Sequence, residues 1–475
     1  MKSHGIACSN MMQKEKTRMM KISQKISLSL VMMIALSLGH SIASSNSTSS
    51  TKLTPSKDHF SLNITGKALF GSTFGSQTAK NSYIFSGPKS PIGQIYTSGT
   101  LLPTHHQGSL FDVGRSGLTF TAERTAGELK YSFVWRISGD GSSTYHMKEI
   151  YLMVETPYGS FVLGDVKGPE DRASCGPSDF CVGTGGTDGN FSRFVNMTTS
   201  CVMSPSAVGD TGSSTKASFY SKRLAGFQAS IAYIPNNQHL GEMALNTAMS
   251  PLKTPFRPFD LQSVVAGIDF LQKFGDITLN LSAVHLHGNT RAEKPDVRLL
   301  QRTNTNSWDF GVVLGLGRVS LGAEYIYNGN SGKLRHDIFG KELKGIVPTV
   351  NGETLPGKYY IANQAGKFWT LNTGISYIGS EAGVSFSCLT TSRKTGITSL
   401  SQGCSSKARG SAFVLSTEYY LAPGFVPYLE WGIYKMKNPD WAYVCASIAN
   451  LTQWDFIGVP SNTAKAMIAG LKIQF

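Results

Sequence analysis

The chain is poor in charge: Asp, Glu, Lys and Arg together make up 16% of its 475 residues. It has none of the Glu/Lys/Leu-rich stretches that long amphipathic helices need, which argues against a helical architecture. Beyond residue 43 no segment strings together ~18 apolar residues, so membrane-spanning helices are excluded. The 7 cysteines include no C-x2-C pair, a poor set for zinc. "GTGG" at 183–186 lacks the GK[ST] of a phosphate loop and reads as a flexible connection. The formal charge is +14, yet no basic stripe, aromatic-interleaved RNA-binding pattern or zinc-finger spacing accompanies it. Nucleic acid is therefore not expected as a partner. Histidines are scattered without a nearby serine motif, which argues against a Ser–His–acid hydrolase.

What is present begins with a leader. Lys21 and Lys25 precede the apolar run "ISLSLVMMIALSLG", and Ser41 and Ala43 occupy the small-residue places of a cleavage site. This predicts a secretory signal peptide over 1–43. An anchoring helix is the rival, disfavoured because the run is short of the ~20 residues a span needs. The long lead before it suggests translation from Met19 or Met20. Cleavage would remove six Lys/Arg and one Glu, lowering the excess from +14 to +9. Residues 44–58 then form a short lead, and 59–475 one domain.

That domain alternates. "ELKYSFVWRIS" places Leu129, Tyr131, Phe133, Trp135 and Ile137 against Lys130, Ser132 and Arg136. "LNITGKALF" sets Leu62, Ile64, Ala68 and Phe70 opposite Lys67, and "GRSGLTFTA" sets Leu118, Phe120 and Ala122 opposite Arg115, Thr119 and Thr121. A period of two marks strands with unlike faces. Thirteen further candidates lie at 145–156, 159–166, 214–223, 226–235, 260–271, 275–288, 305–316, 317–328, 366–378, 381–391, 410–420, 424–437 and 462–475. The fold class is therefore all-β, and sixteen strands of about ten residues suit a closed transmembrane antiparallel β-barrel. A strand in lipid must satisfy its backbone with neighbours, and closure leaves no edge. A soluble β-sandwich also alternates and is the alternative. The connections favour the barrel, because short turns ("RTAG", "TPYG", "LAG", "APG") alternate with long excursions, among them 72–112, 167–213 and 329–365. The chain stops on Phe475, whose row Phe475, Ile473, Leu471, Ala469, Met467 is apolar, so the last strand is expected to be tied in.

Read in order, "ITGKALFG", "GRSGLTFTAERTAGELKYSFVWRI", "ETPYGSFVLGD", "YYLAPGFVPYLEWGIY" and "GLKIQF" resemble a Gram-negative general porin of alphaproteobacterial type. The resemblance implies an outer-membrane location, with bilayer and lipopolysaccharide around the barrel. It also implies a homotrimer and a water-filled pore for small hydrophilic solutes and ions. A third loop, here 167–213, would fold inward, and Phe475 would belong to the signal read by the barrel-assembly machinery. No cofactor or catalytic residue is implied. The acidic side of a constriction falls to Glu170, Asp171, Asp179 and Asp188, with "PSDF" at 177–180 matching a proline–acid–Phe segment. The basic wall falls to Lys67 and Arg115, with Lys216, Arg136 and Lys148 as further positions. One departure stands out: the family's "LGR" at the loop entrance is "LGD", which puts Asp165 where an arginine is expected.

Export makes disulfides plausible, with Cys388–Cys404 and Cys175–Cys181 as candidate staples; six mature cysteines allow 15 pairings. His285 and His287 share a strand face and read as lumen-lining or interfacial rather than metal ligands. Trp308, Tyr325, Tyr327, Trp369, Tyr377, Tyr419, Tyr420, Tyr428 and Trp431 suit the aromatic belts of a membrane protein. The expected function is a passive diffusion porin with a mild anion preference. The alternative is a surface barrel serving adhesion or envelope structure.

Overall fold

The computed structural model describes residues 60–77, 82–83, 101–102, 110–139, 145–189, 211–237, 258–292, 303–331, 349–350, 353–354, 368–394, 407–437 and 461–475. The leader, His105, His106, Cys201, Cys404 and Cys445 lie outside the described residues. Among those described, no helix is long and apolar enough to cross a membrane.

Sixteen strands close into one antiparallel barrel. They are β1 (Phe60–Gln77), β2 (Leu110–Ala126), β3 (Leu129–Gly139), β4 (Tyr145–Thr156), β5 (Gly159–Asp165) and β6 (Thr215–Ser221). There follow β7 (Phe227–Asn236), β8 (Pro258–Phe274), β9 (Ile277–Ala292), β10 (Thr305–Leu316) and β11 (Val319–Gly329). The last five are β12 (Phe368–Ile378), β13 (Ala382–Lys394), β14 (Lys407–Tyr419), β15 (Phe425–Lys437) and β16 (Ser461–Gln474). Each expected strand is present. Neighbours in sequence are neighbours in the sheet, and β16 closes on β1.

Closure ends at Phe475. Its N–H donates to the Gly66 carbonyl at 3.1 Å, and the Gly66 N–H donates to the Phe475 carbonyl at 2.8 Å. A Cβ on Gly66 would stand 2.2 Å from the Phe475 ring. The glycine therefore leaves the groove in which the aromatic lies across the seam.

The two faces differ as lipid and water demand. Phe133, Trp135, Leu163, Ile231, Phe310, Ile375, Phe386 and Trp431 stand exposed on outward rows. Opposite them, Ser132, Ser263, Thr370, Asn372, Ser385, Ser387 and Ser416 are buried. Outward apolar side chains cost nothing in hydrocarbon, while polar ones are tolerated on the lumen side. Inner rows are not uniformly polar. Ala232, Ile234, Val265, Val284 and Leu286 of β7–β9 form a buried cluster that also takes Ala173 of the β5–β6 connection.

The aromatic expectations divide. Trp308, Tyr325, Tyr377, Tyr419 and Trp431 are exposed on outward rows, as a belt requires. Tyr428 is not: it is 5% exposed on the inner row, and its hydroxyl donates to the Phe70 carbonyl at 3.4 Å. Tyr420 sits in the turn after β14 and donates to Glu418 at 2.9 Å. His285 lies on the outward row with Leu281, stacked on Trp308 with ring centroids 4.1 Å apart. Among the described residues no group of His, Cys, Asp and Glu is placed to hold a metal.

Candidate functional site

The site is built where the β5–β6 connection meets the inner rows. After β5 comes one helical turn, Pro169–Arg172, then two 3-10 turns, Pro177–Asp179 and Gly186–Asp188. Pro169 and Pro177 each open a turn, where the missing N–H costs nothing. Between turns Gly176 is extended and Gly183 and Gly185 are left-handed, which interrupts the helical ladder and leaves N–H groups to bond outward.

Those groups find the wall strand after strand. The Cys175 N–H donates to Ser282 Oγ of β9 at 3.0 Å. The Val182 N–H donates to Ser385 Oγ and the Thr187 N–H to Ser387 Oγ of β13, each at 3.0 Å. Thr187 Oγ1 donates to Asn372 of β12 at 2.9 Å. The Gly183 N–H donates to Glu418 of β14 at 2.9 Å. On β15, Glu430 accepts the Thr184 N–H at 2.6 Å, Thr184 Oγ1 at 2.7 Å and Ser416 Oγ at 3.1 Å. Lys472 of β16 ion-pairs with Glu418 and donates to the Gly183 carbonyl at 3.0 Å. All these wall residues belong to the rows opposite the exposed apolar ones. At β10 the backbones nearly touch, since a Cβ on Gly311 would stand 1.9 Å from the Cys175 carbonyl oxygen.

The expected acids have diverse partners. Glu170 lies 3.7 Å from Lys216, with side chains 5% and 0% exposed. Lys216 also donates to Thr211 Oγ1 and the Gly212 carbonyl, each at 2.7 Å. This pair ties the two ends of the connection together, away from solvent. Asp171 pairs with Lys167 four residues earlier. Asp179 caps its own turn, accepting the Gly176 N–H at 2.9 Å. Asp188 is half-buried in the second 3-10 turn. The structure thus places all four on the connection.

The expected bases also separate. Lys67 is exposed on the inner row of β1. Arg115 lies in β2 where the register slips: Lys67 faces Gly117 and Leu69 faces Gly114. One extra residue stands on β2 between these pairs, and the Arg115 side chain lies outside the described residues. Arg136 is on the inner row of β3, 3.7 Å from Glu149. Nearby, Lys130 lies 3.0 Å from Glu123 and 3.6 Å from Glu155, so this wall carries both signs. Lys148 stands at the β3–β4 irregularity. Asp165 pairs across to Ile150 and Thr215 on the outward row, where Thr215 Oγ1 donates to it. The acid at the loop entrance therefore does not line the inner face.

Among the described residues no cysteine is stapled. Cys175, Cys181 and Cys388 are free thiols. Cys175 Sγ lies 3.7 Å from the Asn280 carbonyl of β9, while Cys181 Sγ would meet a Cβ on Gly374 of β12 at 3.4 Å. The 3-10 turn between them sends the two thiols to different strands. Burial pushes both thiols up to about 11, against hydrogen bonds from Ser282 and from Ser385 and Ser387 that pull them down. Cys388 stands mid-strand on the outward row of β13, beside Thr373 and Phe413.

Sequence reasoning missed Glu418, Glu430, Lys472, Asp309 and Glu324, all on inner rows. Asp309 is 6% exposed, and its Oδ1 has no hydrogen-bond partner. Glu324 abuts Gly176, where a Cβ would stand 2.9 Å from its Oε2. The available signal was an acid on the polar row of an alternating strand, as in "PYLEW" and "LGAEY".

A family model described as Gram-negative porin matches residues 30–438. No curated protein matches the chain in sequence. Among solved structures, the outer membrane channel DcaP of Acinetobacter baumannii is similar at 9% identity, covering 88% of this chain and 97% of its own, with a TM-score of 0.51. The anion-selective porin from Comamonas acidovorans is similar at 12% identity, covering 88% and 100%, with a TM-score of 0.49. Salmonella typhi OmpF in complex with daunomycin is similar at 12% identity, covering 87% and 97%, with a TM-score of 0.48.

Proposed function

The chain belongs to the Gram-negative porin family, and from that premise we propose how its outer-membrane diffusion channel is narrowed and assembled. The described stretch after β5, residues 166–189, folds into the lumen as part of the third loop and sets the aperture. The observation that supports this is the run of hydrogen bonds from its backbone to inner rows of β9, β13, β14 and β15. A loop held by so many strands is a fixed part of the wall, which gives a size limit without a gate.

Passage needs no chemistry. Solutes cross water beside charges of both signs, and those charges bias which ions enter. The loop acids are partly committed to Lys216 and Lys167, so the field in the opening comes from both loop and wall. We further propose a homotrimer in a bilayer carrying lipopolysaccharide, delivered by export after removal of 1–43 and inserted by the barrel-assembly machinery through Phe475. Liposome swelling with uncharged sugars of graded size tests the aperture. Uptake should fall steeply with solute size, and deleting 177–188 should relax that cut-off. Swelling that ignores solute size, or a cut-off unmoved by the deletion, would refute the loop as the limiting element.

A further inference from the structure

Most inner-row cations sit against carboxylates. Arg136 lies 3.7 Å from Glu149, Lys216 is buried 3.7 Å from Glu170, and Lys472 is paired with Glu418. An ion pair cancels most of the field a cation would present to a passing solute. Arg172 is held differently. It ends the helical turn Pro169–Arg172 and is exposed. Its guanidinium lies over the Tyr151 ring at 5.4 Å and the Tyr220 ring at 5.5 Å. Both tyrosines belong to the inner rows, of β4 and β6. Among the described residues Arg172 has no ion-pair partner. Its neighbours in the turn are already engaged, Glu170 by Lys216 and Asp171 by Lys167.

Ring faces fix a cation in place without neutralising it. Tyr220 is only 8% exposed, so the shelf is rigid on its deeper side. The planar guanidinium stays charged at any accessible pH and keeps its N–H donors at the edge, turned away from the rings it covers. This suits anions, above all flat oxyanions that accept two N–H bonds at once.

We propose that Arg172, a cation carried on the loop, contacts and selects anions in this pore. The inference rests on the channel reading above. Charge placed on the loop moves with the element that sets the aperture, so size limit and anion preference share one structural origin.

The test is the reversal potential of the full-length protein in planar bilayers under a KCl gradient. It uses wild type, Arg172→Gln, Arg172→Lys and the double variant Arg136→Gln with Glu149→Gln. Arg172→Gln should lower the chloride-to-potassium permeability ratio roughly two- to threefold, the effect of a unit charge about 7 Å from the ion path at water-like dielectric, screened over a Debye length of about 10 Å and acting with opposite sign on the two ions. Arg172→Lys keeps the charge and should stay closer to wild type than Arg172→Gln. The double variant Arg136→Gln with Glu149→Gln removes a pair of no net charge and should move the ratio less than Arg172→Gln. A conducting wild type with an unmoved Arg172→Gln would overturn this inference alone. So would an Arg172→Lys that shifts as far as Arg172→Gln. A wild type without conductance would overturn the channel reading and this inference with it.

Discussion

Replacing Glu430 by alanine should loosen the tip of the third loop. In the structure this side chain is fully buried and accepts three hydrogen bonds, two of them from Thr184 at 2.6 and 2.7 Å. Bonds to a carboxylate contribute about 1.5 kcal/mol or more each, so losing the pair from Thr184 costs the docked tip about 3 kcal/mol. That raises the undocked fraction by roughly two orders of magnitude. The clamp of Gly183 between Glu418 and Lys472 remains, so the barrel should still assemble. Single-channel recordings supply the assay. Glu430→Ala channels should show added open-channel noise and brief conductance excursions, and Glu430→Gln, which keeps an acceptor oxygen, should be quieter. If Glu430→Ala matches wild type in conductance and noise, the tip is not held by Glu430, and the view of the loop as a hydrogen-bonded part of the wall fails.

Three further outcomes follow from the same contacts. Lys216→Met leaves Glu170 buried without its cation and should cost about 3–5 kcal/mol, read as a lower temperature of heat-modified migration; Lys216→Met with Glu170→Gln should recover much of it. A selectivity change without a stability change would instead place Lys216 on the pore wall. Phe475→Ser should leave export intact and impair insertion, and Gly66→Val should do the same by displacing the ring that lies over Gly66; normal yields of folded oligomers from both would refute the seam contact. Cys175 and Cys181, raised to about 11, stay protonated until the pH nears that value. At pH 8 they should carry roughly two orders of magnitude less thiolate than an ordinary cysteine. Peptide mapping should find them alkylated slowly in the folded protein and quickly after unfolding, whereas a linked Cys175–Cys181 peptide would show that the free-thiol arrangement is wrong.

The barrel was legible because lipid imposes a simple rule on every strand. Tyr131, Phe133 and Trp135 had to share a face, and the polar row between them had to look inward. The same rule placed Lys67, Arg136 and Lys216 on inner rows. It gave no information about partners. That Lys216 would be sealed against Glu170, or that Glu430 would receive Thr184 from 246 residues away, depends on how a loop settles across the strands. Parity also fails at irregularities. Beside Arg115 one extra residue shifts the register, so counting by twos from Thr119 loses its meaning there. Asp165 was noticed as a departure, but its outward row could only be fixed by its pairing with Ile150 and Thr215. The Cys175–Cys181 staple is absent for a related reason: six residues is a short separation in sequence, yet an intervening 3-10 turn points the two side chains to different strands. Arg172 escaped attention because it lay among acids, and its aromatic shelf comes from two strands far apart in the chain.

The central claim is that the folded barrel is an open aqueous path. Incorporation of the purified protein into a planar bilayer tests it most directly. Stable stepwise conductance increments, proportional to bulk salt conductivity over a wide concentration range, are the predicted result. A folded, heat-modifiable barrel that inserts and yet gives no steps would contradict the account.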